Sequence, residues 1–256
     1  MLKLYAMSCG RIRSRKKIYI PNAPKEEYVE APMPVFLVKH PGGNLLFDTG
    51  PNPEVFINAD AVWGGLAKAF QPIGDKDSGV VAQLKNRLGL VPADISYVVN
   101  SHLHFDHSGG NRFFPDATFL VSQRELECAR RPDLEGKGYF RAEWDLPLNY
   151  RTVEGELDVF GDGRIIIYPM PGHTPGHQAM LVRLEKHDPI LLSGDSAAFR
   201  ENFEQRVLPL NHLNKEEARL SIDRLHELMA KQKTMIIYGH DEEQWKSLKK
   251  APAYYE

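Results

Sequence analysis

The chain has 256 residues, 42% of them hydrophobic and 26% charged, with a formal net charge of −2. That length suits one large domain, or two intimately packed halves, and the composition is that of an ordinary globular protein. The near-neutral charge gives no footprint for nucleic acid or an anionic membrane surface, and no run of about 18 apolar residues proposes a spanning helix.

The chain starts MLKLYAMSCG, which lacks the basic leader and continuous apolar core of a secretory signal. Its two cysteines, Cys9 and Cys128, lie far apart, so reduced thiols in a cytoplasm are expected. The basic run at residues 11–17 is expected to be a solvated loop. Residues 34–39 and 44–47 flank the turn-rich His40-Pro41-Gly42-Gly43 and read as a hairpin. Asp48 follows, as a turn-forming carboxylate or as support for a site. Between Pro51 and Pro72 an insertion carries Val55, Phe56, Ile57, Val62, Trp63, Leu66 and Phe70. Asp77 and Ser78 begin a helical stretch with Val80, Val81, Leu84 and Leu88 on one face.

Residues 95–100 (ISYVVN) read as a buried strand, and it empties into His102, His104, Asp106 and His107. Four metal-ligating side chains within six residues are costly in an interior unless a cation occupies them, and strand ends are where α/β proteins build sites. Further along, Ser122 with Glu125 fits a capping box ahead of a short helix. The irregular stretch 136–150, with Trp144 and Tyr150, is expected to cover the cluster from one side. Apolar runs then end three more times in a candidate ligand beside a glycine. His173 follows residues 165–170, Asp195 follows 190–194, and His240 follows 235–239. Before the last of these, Asn214 caps a helix whose Ala218, Ile222, Leu225 and Met229 recur at helical spacing.

The donors divide naturally. His102 and His104 are two apart and point the same way in an extended segment, so they would hold one metal with His173. Asp106 and His107 would face a second with His240, and Asp195 remains as a bridge. Imidazole and carboxylate without thiolate suit zinc, and also cobalt, iron or manganese. Two such ions about 3.5–4 Å apart share and acidify a water, which is the chemistry of a hydrolase. Of the other histidines, His177 is read as support for the site or as a core residue. His40, His187, His212 and His226 are expected to be solvated.

The His-x-His-x-Asp-His stretch with its distant His, Asp and His resembles the metallo-β-lactamase superfamily, and within it the N-acyl-homoserine lactonases. Supporting segments are Lys3-Leu4-Tyr5, Leu46-Phe47-Asp48-Thr49-Gly50, residues 101–111 (SHLHFDHSGGN), Thr174-Pro175-Gly176-His177-Gln178, Glu201-Asn202-Phe203-Glu204 and Tyr238-Gly239-His240-Asp241. The resemblance implies a single domain over residues 1–256, an αββα sandwich of two mixed sheets with helices outside. It also implies a quorum-quenching lactonase acting on a small molecule through hydroxide held between two divalent ions, with Asp106 as the proton donor to the leaving alkoxide. Matching insertions in such lactonases form a lid, so Trp63 and Phe70, with Phe105, Met33 and Ala198, are the expected substrate walls; Tyr19 and Tyr28 would stand at the mouth. One departure stands out: a Tyr usually sits three residues after the bridging Asp, and here that place is Ala198. Losing one preorganised donor costs about 2.7–4 kcal/mol when nothing replaces it. Other esters, aryl lactones or organophosphate triesters are therefore an alternative on the same site. A redox or purely binding metalloprotein is the alternative from a different class. Redox relatives carry Glu where His104 stands, and a binding relative would have lost ligands; here all seven remain.

Overall fold

The computed structural model describes all 256 residues. The chain begins with a long antiparallel ribbon, β1 (Lys3–Arg15) against β2 (Tyr28–His40), followed by β3 (Gly43–Phe47) across the expected turn. The basic run therefore belongs mainly to a strand rather than a loop. Arg11 pairs with Glu242 and Lys16 with Glu27, at 2.8 and 2.6 Å. The insertion folds as helix α1 (Ala59–Trp63) with flanking turns and the short strand β4 (Gln71–Ile73), which returns to pair with β1. Helix α2 (Val80–Leu88) ends at Gly89 in the left-handed region, φ 66°.

Three parallel strands complete the first sheet: β5 (Ile95–Val99), β6 (Thr118–Ser122) and β7 (Asn149–Val153), interleaved with α3 (Phe105–Ser108), α4 (Gln123–Ala129) and α5 (Arg141–Trp144). Its order is β4-β1-β2-β3-β5-β6-β7. The second sheet comprises β8 (Leu157–Asp158), β9 (Ile165–Pro169), β10 (Gln178–Val182), β11 (Ile190–Leu192) and, beyond α6 (Arg200–Glu204) and α7 (Lys215–Lys231), β12 (Met235–Ile237). Its order is β12-β11-β10-β9-β8, with only β11 and β12 parallel. Helix α8 (Glu242–Ser247) closes the chain.

Alternation along the strands explains the layers. Phe36, Val38, Leu45 and Phe47 face the second sheet and pack on Ile165, Ile167, Met180, Val182, Leu192 and Ile237. Their neighbours Val35, Leu37 and Leu46 face outward under Val80, Leu84 and Leu126 of α2 and α4. On the far side Ile222 and Leu225 of α7 cover Leu181, Leu191 and Ile236, each such burial contributing about 1.5–3 kcal/mol. The result is the expected helix–sheet–sheet–helix sandwich with two mixed sheets. Asn214 caps α7 as expected, accepting from the Glu216 and Glu217 amides. No helix is long and apolar enough to cross a membrane.

Candidate metal centre

Four segments converge at one edge of the sandwich. The loop after β5 and the start of α3 bring His102, His104, Asp106 and His107 from the first sheet. The ends of β9, β11 and β12 bring His173, Asp195 and His240 from the second. The donor atoms form three overlapping groups: His102 with His104 and His173; His102 with His107 and Asp195; Asp106 with His107 and His240. Asp195 reaches both sides. Its Oδ2 lies 3.4 Å from His173 Nε2, and its Oδ1 lies 3.0 Å from His240 Nε2 and 3.5 Å from His107 Nε2. Gly194, at φ 52°, makes the turn that presents Asp195. Gly239 leaves room for it, since a Cβ there would stand 2.9 Å from Asp195 Oδ1.

Hydrogen bonds on the outer ring nitrogens fix which way the lone pairs point. His240 Nδ1–H donates to the Pro32 carbonyl at 2.8 Å, and His107 Nδ1–H to Asp48 Oδ2 at 2.8 Å. Ser101 Oγ donates to Asp48 and so accepts from His102 Nδ1 at 3.0 Å. The Nε2 atoms of His102 and His107 and Oδ1 of Asp195 are then buried without hydrogen-bond partners. Lone pairs facing lone pairs in a dry interior are unfavourable unless a cation lies between them, so the donor set fits a pair of divalent ions. Electrostatics agree. Burial holds the basicity of His102 and His173 well below the ordinary value and pushes His104 down to about 4, as neutral ligands require. Burial works the same way on His107, but Asp106, Asp48 and Asp195 outweigh it and raise that group well above its ordinary value. The second side of the centre is thus a field that favours positive charge.

A family model described as the Metallo-beta-lactamase superfamily matches residues 32–240. The chain belongs to that superfamily. Against an N-acyl homoserine lactonase AttM from Azorhizobium caulinodans this superfamily member is 37% identical over 261 residues, covering 100% of this chain and 99% of the relative. Against the N-acyl homoserine lactonase AiiA of Bacillus thuringiensis subsp. kurstaki it is 35% identical, covering 98% of both. A solved N-acyl homoserine lactone hydrolase, with N-hexanoyl-L-homoserine bound at its catalytic metal centre, superposes with a TM-score of 0.89 at 32% identity over 99% of this chain and 98% of that one.

Around the superfamily centre, the five residues expected as walls fall in one apolar cluster. Phe105, Trp63, Met33 and Ala198 are buried there and Phe70 packs against them; the Phe105 ring lies 4.7 Å from Trp63 and 5.6 Å from Phe70. Tyr19 joins them, its ring 4.8 Å from Phe199 and 6.1 Å from His240. Tyr28 does not; it is exposed beneath the guanidinium of Arg13. Trp144 and Tyr150 belong to the helix-side core, whereas Tyr139 of the same stretch covers His104 at 4.6 Å.

Asp48 resolves as support for the centre, and so does His177, whose Nε2 accepts the Asp195 amide at 2.9 Å. The capping box does not form. Ser122 makes no side-chain cap, because Glu125 turns inward instead. Its carboxylate accepts from the Leu103 amide, Tyr139 hydroxyl, Thr174 hydroxyl and Gly176 amide, tying the His102/His104 loop to the His173 loop. His212 is buried rather than solvated, 5.2 Å from the His173 ring. His40 stacks on Phe160 and pairs with Asp162, His226 stacks on Phe203, and His187 bonds the Asp188 carbonyl.

Proposed function

We propose that this chain is a dinuclear metal-dependent hydrolase that opens the ring of N-acyl-homoserine lactones. The observation that carries the reading is a complete set of seven donors, with the two Asp195 oxygens divided between two clusters, in a chain alike to lactonases along its whole length. His102, His104 and His173 would hold one ion, Asp106, His107 and His240 the other, and Asp195 both. Zinc is favoured by imidazole and carboxylate donors without thiolate, ahead of cobalt, iron or manganese. When bound, such a pair supplies an acidified water and polarises the carbonyl.

The protein's own groups then do the rest. The lactone carbonyl carbon is attacked, the ring C–O bond breaks, and the departing oxygen needs a proton. Asp106 would give it, having taken the proton that the attacking water loses. Its Oδ2 lies 3.6 Å from the Nε2 atoms of both His107 and His240, which supports a carboxylate turned to the reacting atoms. The apolar cluster of Phe105, Trp63, Phe70, Met33 and Ala198 supports a role as the acyl-chain wall. Both cysteines are free and buried, which supports a reducing compartment such as the cytoplasm.

The test is proton release on adding acyl-homoserine lactones of short and long chain to metal-loaded protein, with a chelated sample alongside. Chelator-sensitive opening at kcat/KM above about 10⁴ M⁻¹s⁻¹ supports the reading. Metal-loaded protein that releases no protons refutes it, and Ala198 then favours the second reading, hydrolysis of other esters or phosphotriesters.

A further inference from the structure

Beside the centre stand two histidines that the seven donor positions do not include. His177 accepts the Asp195 amide, whereas His212 touches the centre only through its ring against His173. Its side chain is 7% exposed as a residue, and neither ring nitrogen has a hydrogen-bond partner. The neighbouring Asn211 Oδ1 is buried and unpartnered as well.

The corner that holds these atoms is well fixed. The Leu213 and Asn214 amides donate to the His173 and Gly172 carbonyls at 3.1 and 2.9 Å, and the Leu210 amide donates to the Ile18 carbonyl at 2.8 Å. The imidazole is therefore held against His173, one of the donors, while Leu210 and Leu213 on either side leave about half their surface in solvent. Leaving a buried donor and acceptor unmade is costly, so the arrangement is one that an incoming polar group would relieve. A neutral imidazole has one N–H to give and one lone pair to accept. A secondary amide can meet either of them, giving its N–H to the lone pair or accepting the ring N–H at its carbonyl. The apolar cluster of Phe105, Trp63 and Met33 offers an amide no such partner, and an amide drawn against it needs one. The substrate class proposed above has one polar group outside its lactone ring, and it is a secondary amide.

We propose that His212 binds the amide of an N-acyl-homoserine lactone and so selects amide-bearing lactones over plain alkyl lactones; this rests on the functional reading above. His212→Phe keeps a flat ring against His173 and removes both nitrogens, and His212→Gln keeps a donor and an acceptor. Each variant and the parent would be assayed on N-hexanoyl-homoserine lactone and on α-heptyl-γ-butyrolactone, which has the same reach without the amide. Metal content would be measured throughout.

His212→Phe should raise KM for the amide-bearing lactone about tenfold, the worth of one well-made hydrogen bond, with full metal content. On the alkyl lactone kcat/KM should move by less than about twofold, and His212→Gln should recover most of the loss. An equal loss on both lactones, no loss on the amide-bearing one, or depleted metal overturns the assignment alone. A parent enzyme that opens neither lactone overturns the functional reading and this assignment with it.

Discussion

Glu125→Gln probes how the two halves of the centre are held in register. The carboxylate is fully buried and accepts four hydrogen bonds: Oε1 from the Leu103 amide at 3.0 Å and the Tyr139 hydroxyl at 2.9 Å, Oε2 from the Thr174 hydroxyl at 2.6 Å and the Gly176 amide at 3.2 Å. Glutamine has the same shape but presents an NH2 on one side. A hydroxyl on that side can rotate to accept, whereas a backbone N–H cannot, so one amide is orphaned at a cost of about 1–3 kcal/mol. The remaining bonds lose their charge assistance, which adds roughly another 1 kcal/mol. The expected destabilisation is therefore about 2–4 kcal/mol, read as a lower urea midpoint at unchanged m in chelated protein. Because Leu103 sits between His102 and His104 and Gly176 follows His173, metal affinity should also fall, by about tenfold to a hundredfold in chelator competition. A variant within about 0.5 kcal/mol of the parent, binding metal equally well, would refute this account of Glu125.

Asp106→Asn should lower kcat by at least about a hundredfold through loss of the proton donor; near-parental turnover at full metal content would remove Asp106 from that role. Glu143 is buried with neither carboxylate oxygen partnered, and burial pushes its pKa up to about 8 against the nearby Arg112. The folded state thus keeps a proton that the unfolded chain releases above about 4.5, and stability should decline as pH rises from there to about 8. Glu143→Gln should flatten that decline, by at most about 5 kcal/mol at pH 8, and parallel pH–stability curves for parent and variant would exclude it. Ala198→Tyr adds a phenol to a filled cluster and should cost about 1–3 kcal/mol without a gain in lactone turnover; faster turnover at unchanged stability would show instead that position 198 leaves usable space.

What could be read from the sequence was what is local. A strand followed by His-x-His-x-Asp-His, and three apolar runs each ending beside a glycine in His, Asp or His, announce themselves within ten residues. Alternation in the hairpin and 3.6-residue spacing after Asn214 do the same for the layers. Glu125 has sequence neighbours that satisfy a capping pattern, while its true partners lie up to 51 residues away. Likewise His212 sits in a loop with no periodicity, and only the fold brings it to His173. In the basic run, charge hides the strand alternation, in which Ile12 and Ser14 are the buried positions.

The first sheet is built wholly from residues 3–153 and the second wholly from 157–237, with the exposed Glu154, Gly155 and Glu156 between them. All three donor groups draw on both sides of that boundary. A chain cut at Gly155 would yield two fragments, neither holding more than two donors of any one group. Their reassembly would depend on metal, so the centre that serves as the reaction site is also a clasp, and fragment complementation would report metal supply as directly as catalysis does.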